Sequence, residues 1–239
     1  PPEIHFLVGK SCLRLQDPDC TLDAFRQAAV IAPDKLEYLE AYANQLFDMS
    51  RDATGAKLQD YLKEARKYFD FIIKRYDEDI SIPKDKRNAD VFFNRGRILF
   101  ETGHYDQARK DLENAMSLAT HRTDILVTYA DTLFKMNRYD DALKYYQDMI
   151  DGKNDPAHAW FYTGSIHMVR NKTEAAKQAF LNCIGLEPKA YPDAHRYLGR
   201  IFAEKGMRQK AYYHYKTYLD LVGGNSPAAE EVRAAIRKL

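Results

Sequence analysis

Trp160-Phe161-Tyr162-Thr163-Gly164-Ser165-Ile166-His167-Met168, then a turn at Arg170-Asn171-Lys172, then Thr173-Glu174-Ala175-Ala176-Lys177-Gln178-Ala179-Phe180 is the passage that decides the fold. Counted from Gly164, a bulky Trp160 stands at −4, Ala176 at +12, Phe180 at +16, Cys183 at +19 and Pro188 at +24. The same offsets recur from Gly96 (Phe92, Ala108, Leu112, Ala115), from Ala130 (Leu126, Ala142, Tyr146, Met149), from Gly199 (His195, Ala211, Tyr215, Tyr218) and from Gly9 (His5, Thr21, Phe25, Ala28, Pro33). The interval is 34 residues from Gly9 to Ala43, from Gly96 to Ala130 and from Ala130 to Gly164, and 35 from Gly164 to Gly199. A period near 34 marks stacked helix–turn–helix units, none of which can bury its apolar face alone.

Each repeated position has a physical reason. The small residue in the first helix and the alanine early in the second let two antiparallel helices approach closely, and the bulky residues fill the space between successive pairs. Gly103, Asn137 and Gly206 fall in the turns, where Gly or Asn supplies the left-handed conformation that ends a helix. Pro33 and Pro188 mark handovers between units, since proline cannot continue a helix. On these residues the chain resembles the tetratricopeptide repeat (TPR) family. The resemblance implies an all-α, right-handed α-solenoid of about six helix–turn–helix repeats closed by a C-terminal capping helix. Three departures stand out: Arg95 occupies a position where the family usually has Leu, Thr21 replaces the alanine of the first repeat, and His195 replaces a Trp-like residue.

The array is expected over residues 1–225, with repeats near 2–35, 36–76, 89–122, 123–156, 157–191 and 192–224. The interval from Ala43 to Gly96 is irregular, at 53 residues. The pattern resumes at Ala65, Phe69 and Ile72, so about ten extra residues lie around 50–60, and the rest follow Tyr76 as a linker over 77–88. Such an insertion is read either as a lengthened helix pair or as a separate contact element. After Gly223-Gly224-Asn225, Ser226 caps a short amphipathic helix with Pro227 in its first turn, so that residues 226–239 cover the end of the stack.

Formal net charge is +1, which gives no global field to attract nucleic acid or an acidic membrane. No run is apolar and long enough to span a bilayer. Since the chain opens on Pro1-Pro2 without Met, it reads as trimmed, and its compartment is left open between cytoplasm and periplasm. With three cysteines, Cys183 reads as a buried thiol, while Cys12 and Cys20 face each other across one hairpin. They are expected to be two thiols, a disulfide being the geometrically permitted alternative. The seven histidines are scattered. His167 takes a packing position and is expected to be a hydrogen-bonded core residue rather than a ligand. No metal-ligand spacing and no nucleophile–His–acid arrangement is found, so the expectation is no enzyme, no metal and no cofactor.

In such stacks the first helices line the concave side. Offsets −3, +1 and +4 share one helical stripe. From that stripe the expected binding groove comprises Phe47, Phe93, Arg97, Phe100, Val127, Asp131, Phe134, Phe161, Ser165, Met168, Arg196 and Arg200. Phe47, Phe100, Phe134 and Met168 share one offset through four repeats and form an apolar ribbon. Exposed apolar surface of that kind marks an interaction site. The family's carboxylate clamp for chaperone tails uses Lys and Asn where this chain has Phe93 and Arg97, so an apolar or aromatic-anchored protein segment fits better. The expected function is therefore a non-enzymatic scaffold or adaptor in assembly of a multiprotein complex. Two alternatives stand beside it: an envelope lipoprotein for pilus assembly or export, and the adaptor region of a larger enzyme. Homo-oligomerisation is also open.

Overall fold

The computed structural model describes all 239 residues, which form thirteen α-helices, one short 3-10 turn and no strand. They divide into two compact units, Pro1–Met136 and Asn137–Leu239. The first holds α1 (Pro2–Arg14), α2 (Pro18–Ile31), α3 (Leu36–Ser50), α4 (Gly55–Glu78), the 3-10 turn Lys84–Lys86, α5 (Ala89–Glu101), α6 (Tyr105–Leu118) and α7 (Thr123–Lys135). The second holds α8 (Tyr139–Asp151), α9 (Pro156–Val169), α10 (Thr173–Leu186), α11 (Pro192–Glu204), α12 (Arg208–Val222) and α13 (Pro227–Arg237). The class is an α-solenoid of helical hairpins: α1/α2, α3/α4 and α5/α6 pair in the first unit, α9/α10 and α11/α12 in the second.

Local chemistry sets the boundaries. The Asp17 carboxylate accepts from the Cys20 amide at 3.0 Å and starts α2, and the Ser226 hydroxyl accepts from the Ala229 amide at 3.2 Å and starts α13. Gly103 and Gly206 adopt the left-handed backbone that the hairpin turns need, with φ of 79° and 71°. The small residue of the first helix is there for close approach. A Cβ added at Gly164 would stand 2.7 Å from the Phe180 ring across the hairpin. The interiors are continuous stripes of fully buried side chains: Leu46, Phe69, Ile72, Leu99, Leu112 and Leu133 in the first unit, Phe180, Leu198 and Ile201 in the second.

The extra residues near 50–60 form a short turn over 51–54 and then, from Gly55, lengthen the second helix of the pair. α4 runs for 24 residues, against 14 in both α2 and α6, because nothing between Ala56 and Tyr61 breaks a helix once Gly55 has opened it. The segment after Glu78 is an extended linker interrupted by the 3-10 turn.

Two side-chain expectations are corrected. Cys12 and Cys20 are joined in a disulfide rather than standing as two thiols, with Cα atoms 5.8 Å apart. The Asp17 cap with Pro18 behind it folds α2 back on α1, which brings the two cysteines within bridging distance. His167 is only partly buried, and its Nδ1 is enclosed without a hydrogen-bond partner. It sits late in α9, where the turn to α10 offers no acceptor to that nitrogen, and burial lowers its pKa. Cys183 is a buried thiol, and burial pushes its pKa up to about 12.

Candidate functional site

In the first unit, α3, α5 and α7 run side by side and present the stripe at offsets −3, +1 and +4. The Asn94 amide donates to Asn44 Oδ1 at 2.9 Å, tying α5 to α3. Above this link the Arg97 guanidinium lies 5.1 Å from the Phe47 ring centre and 5.8 Å from that of Phe93. Arg122, from the residue that precedes α7, lies 5.1 Å from the same Phe93 ring. Phe47 and Phe93 are 3% and 6% exposed, so they form the wall beneath these arginines rather than its surface. Asp131 is buried as well. Of the expected groove residues, Phe47 and Phe93 lie beneath Arg97 and Arg122, and Asp131 is also buried, so these three do not face solvent.

Phe100, Val127 and Phe134 remain half-buried. Phe100 meets Tyr105 edge-on at 5.8 Å. A stacked guanidinium keeps its in-plane N–H groups available, so the wall offers both aromatic edges and hydrogen-bond donors. Arg97 approaches Glu101 at 3.7 Å, a weak, partly exposed pair that leaves much of that capacity unused.

The second unit repeats the theme. Phe161 and Met168 on α9 are half-buried, as is Ser165, whose hydroxyl donates to the Phe161 carbonyl at 3.0 Å. Phe161 stacks on Tyr191 at 5.3 Å and meets Tyr162 edge-on at 5.3 Å. On α11, Arg196 and Arg200 lie 5.1 Å and 5.6 Å from the Tyr197 ring. Both arginines line a recess of about 180 Å³ with Tyr215, Val232 and Ala235. Arg196 donates to Asp193 at 2.7 Å, whereas Arg200 is exposed and reaches Glu204 only at 4.0 Å.

Reading by offset missed Arg122 and Tyr191. Both lie just before a first helix, outside the repeated phrase, and the matching residues before α5 and α9 are Asn88 and Asp155, so no recurring residue type marked them. No three His, Cys, Asp or Glu side chains converge as metal ligation would require. No helix is long and apolar enough to cross a membrane.

Comparison with known proteins places this geometry. A family model for the tetratricopeptide repeat matches residues 84–160. Intraflagellar transport protein 70A of Xenopus laevis is 26% identical over 158 residues, which cover 61% of this chain and 24% of that protein. The TPR repeat-containing protein YpiA of Bacillus subtilis is 24% identical over 149 residues, 62% of this chain and 35% of its own length. The chain thus spans about a quarter to a third of the curated relatives it matches. Among solved structures, PilF of Pseudomonas aeruginosa superposes with a TM-score of 0.69 at 16% identity, covering 98% of this chain and 96% of that one. YrrB, a TPR protein with an unusual peptide-binding site, superposes at 0.60 with 19% identity, covering 91% and 100%. Over residues 84–160 the chain matches the tetratricopeptide repeat, and the helical period, the hairpin turns and the close-approach glycines carry the same pattern through its other hairpins.

Proposed function

We propose that the protein is a non-enzymatic scaffold whose first-helix wall holds a segment of another protein. The observation that carries this reading is the half-burial of Phe100, Phe134, Phe161 and Met168 beside arginines stacked on aromatic rings. Residues required only for packing are swallowed, as Leu99 and Leu133 are, next door on the same helices. Side chains left partly open on a wall with spare hydrogen-bond donors suit a segment that brings both an apolar anchor and acceptor groups. Such a scaffold would serve assembly of a multiprotein complex, and the partial likeness to intraflagellar transport protein 70A names transport as one process open to it. PilF and PilW resemble this chain in fold alone, at 16% and 15% identity, so pilus assembly has no separate support.

The test is affinity purification with the intact protein and with a Phe100→Ala/Phe134→Ala variant and a Phe161→Ala variant. Circular dichroism melts establish that each is folded. Loss of at least ten-fold in recovery of one or more specific partners is expected from either variant. An unchanged partner set with both folded variants would sink the reading.

A further inference from the structure

The irregular interval between α3 and α5 builds a second feature, on a different stripe of α5. A cleft of about 680 Å³ runs between α4 and α6, with Phe92, Arg95 and Leu99 of α5 as its floor. On α4 its wall extends from Arg66 to Asp77, a length of about 16 Å at 1.5 Å per residue. Lys84 and Arg87 of the linker close one end, and Lys110 and Asn114 of α6 form the facing wall. A regular 34-residue repeat has neither the long α4 nor this linker.

Its charge is unevenly consumed. Arg95 donates twice to Asp111, at 2.7 Å each, and once to Asp70 at 2.8 Å. Arg66 approaches Asp70 at 3.8 Å, and Arg87 donates to the Tyr76 carbonyl and approaches Asp77 at 3.5 Å. All three carboxylates of the cleft, Asp70, Asp77 and Asp111, therefore already have guanidinium partners. Lys84 and Lys110 have no carboxylate partner, and the enclosed Arg87 Nε has no acceptor. Two ammonium groups are left over along a trough whose own acids are spent.

We propose that this cleft is a second binding site, for a short extended protein segment carrying carboxylate or phosphate groups. A trough of that length takes about five residues of extended chain at ~3.3 Å each. Its anionic side chains meet Lys84 and Lys110. This site goes beyond the groove reading and does not depend on it. The two ammonium groups act as point charges, so recognition is salt-sensitive.

The test uses fluorescence anisotropy with the whole protein, at 50 and 200 mM salt. The probes are a labelled hexapeptide with three glutamates, the same peptide with phosphoserines in their place, and a neutral glutamine version; inorganic phosphate serves as competitor. The expected result is binding of one or both anionic peptides and not of the neutral one, weakened at least ten-fold in Lys84→Gln/Lys110→Gln. Both lysines are exposed, so that variant should melt like the parent. Preference between the two anionic peptides assigns the anion as carboxylate or phosphate. The Phe100→Ala/Phe134→Ala variant should bind as the parent does, which separates this site from the groove. Failure of both anionic peptides to bind, equal binding by the lysine variant, or full competition by phosphate at peptide-like concentration overturns the proposal.

Discussion

A methyl group added at Gly199 would land inside the van der Waals shell of the Tyr215 ring, and one at Gly9 inside that of Phe25. At Gly96 the same atom would stand 3.1 Å from Leu112 Cγ, a flexible aliphatic side chain that can yield. Two effects compete in a Gly→Ala change within a helix: a propensity gain of about 1 kcal/mol and an overpacking cost of about 1–3 kcal/mol. Packing should win where the obstacle is a rigid buried ring. Gly199→Ala and Gly9→Ala are expected to lower the urea midpoint at constant m-value, and Gly96→Ala to leave it level or raise it slightly. Equal shifts at the three sites would mean that the beat residues are not set by cross-hairpin contact. Arg95 calls for a different experiment. Its partner Asp111 is 4% exposed at the side chain, and burial raises the pKa of that carboxyl, an effect Arg95 opposes. Arg95→Leu alone, the residue usual in the family, should cost about 3–5 kcal/mol because a carboxylate is left buried without its partner. Arg95→Leu/Asp111→Leu should recover most of that loss. A double variant no better than the single one would contradict the pairing. The sequence flagged Arg95 as a departure but not Asp111, since an acid fifteen residues past the beat glycine has no counterpart in the repeated phrase.

Among the helices, the α11/α12 pair holds a polar contact inside its core. His195 and His214 are 4% and 7% exposed, with their Nδ1 atoms 3.0 Å apart. His195 Nε2 lies 3.2 Å from the Pro188 carbonyl, which only accepts, so that nitrogen carries the proton and donates. His195 Nδ1 is then an acceptor, and His214 Nδ1–H donates to it. The arrangement holds two neutral rings and has no place for an imidazolium, with Phe202 stacked on His214 at 5.4 Å. Burial, and next the neighbouring His195, push the His214 pKa down to about 4, and burial lowers that of His195 too. A histidine depressed in the folded state binds fewer protons there than in the unfolded chain, so stability is full above pH ~6.5 and falls as pH drops towards 4. The loss is expected to be on the order of 2 kcal/mol. Urea midpoints at pH 7.5 and 5.0 should separate for the parent and converge for His195→Phe/His214→Phe; equal separation in both would exclude this pair as the cause. Element boundaries were the more legible part of the chain. The turns at Gly103 and Gly206 and the cap at Ser226 follow from single residues with local consequences. The groove was less so: which of Phe47, Phe93, Phe100 and Phe134 stays open depends on where Arg97 and Arg122 lay their side chains, and offset along one helix carries no record of its neighbours.

Within each unit a hairpin buries a face that its neighbour must cover, and the first and last helices of the chain show opposite solutions. α13 lays Val232, nearly inaccessible, into a cluster containing Leu198, Ile201, Tyr215 and Tyr218, with Ala228, Ala235 and Ile236 packed beside it. On α1, Ile4, Leu7 and Val8 are 56%, 62% and 45% exposed. Ile4 occupies the offset of Val91, Ile125, Ala159 and Ala194, each of which has no exposed surface. Position in the repeat is the same, and only the presence of a covering helix differs. A charge should therefore act oppositely at the two places. Val232→Glu buries a carboxylate with no partner and should cost several kcal/mol, seen as early loss of helicity in thermal melts. Ile4→Glu/Val8→Glu places carboxylates in water and should leave the melt within about 0.5 kcal/mol of the parent. The same double change removes a small apolar patch, so any concentration-dependent rise in light scattering should diminish. A melt lowered as much by the α1 changes as by Val232→Glu would show that the α1 stripe is covered in solution, in which case the first hairpin is not an open face at all.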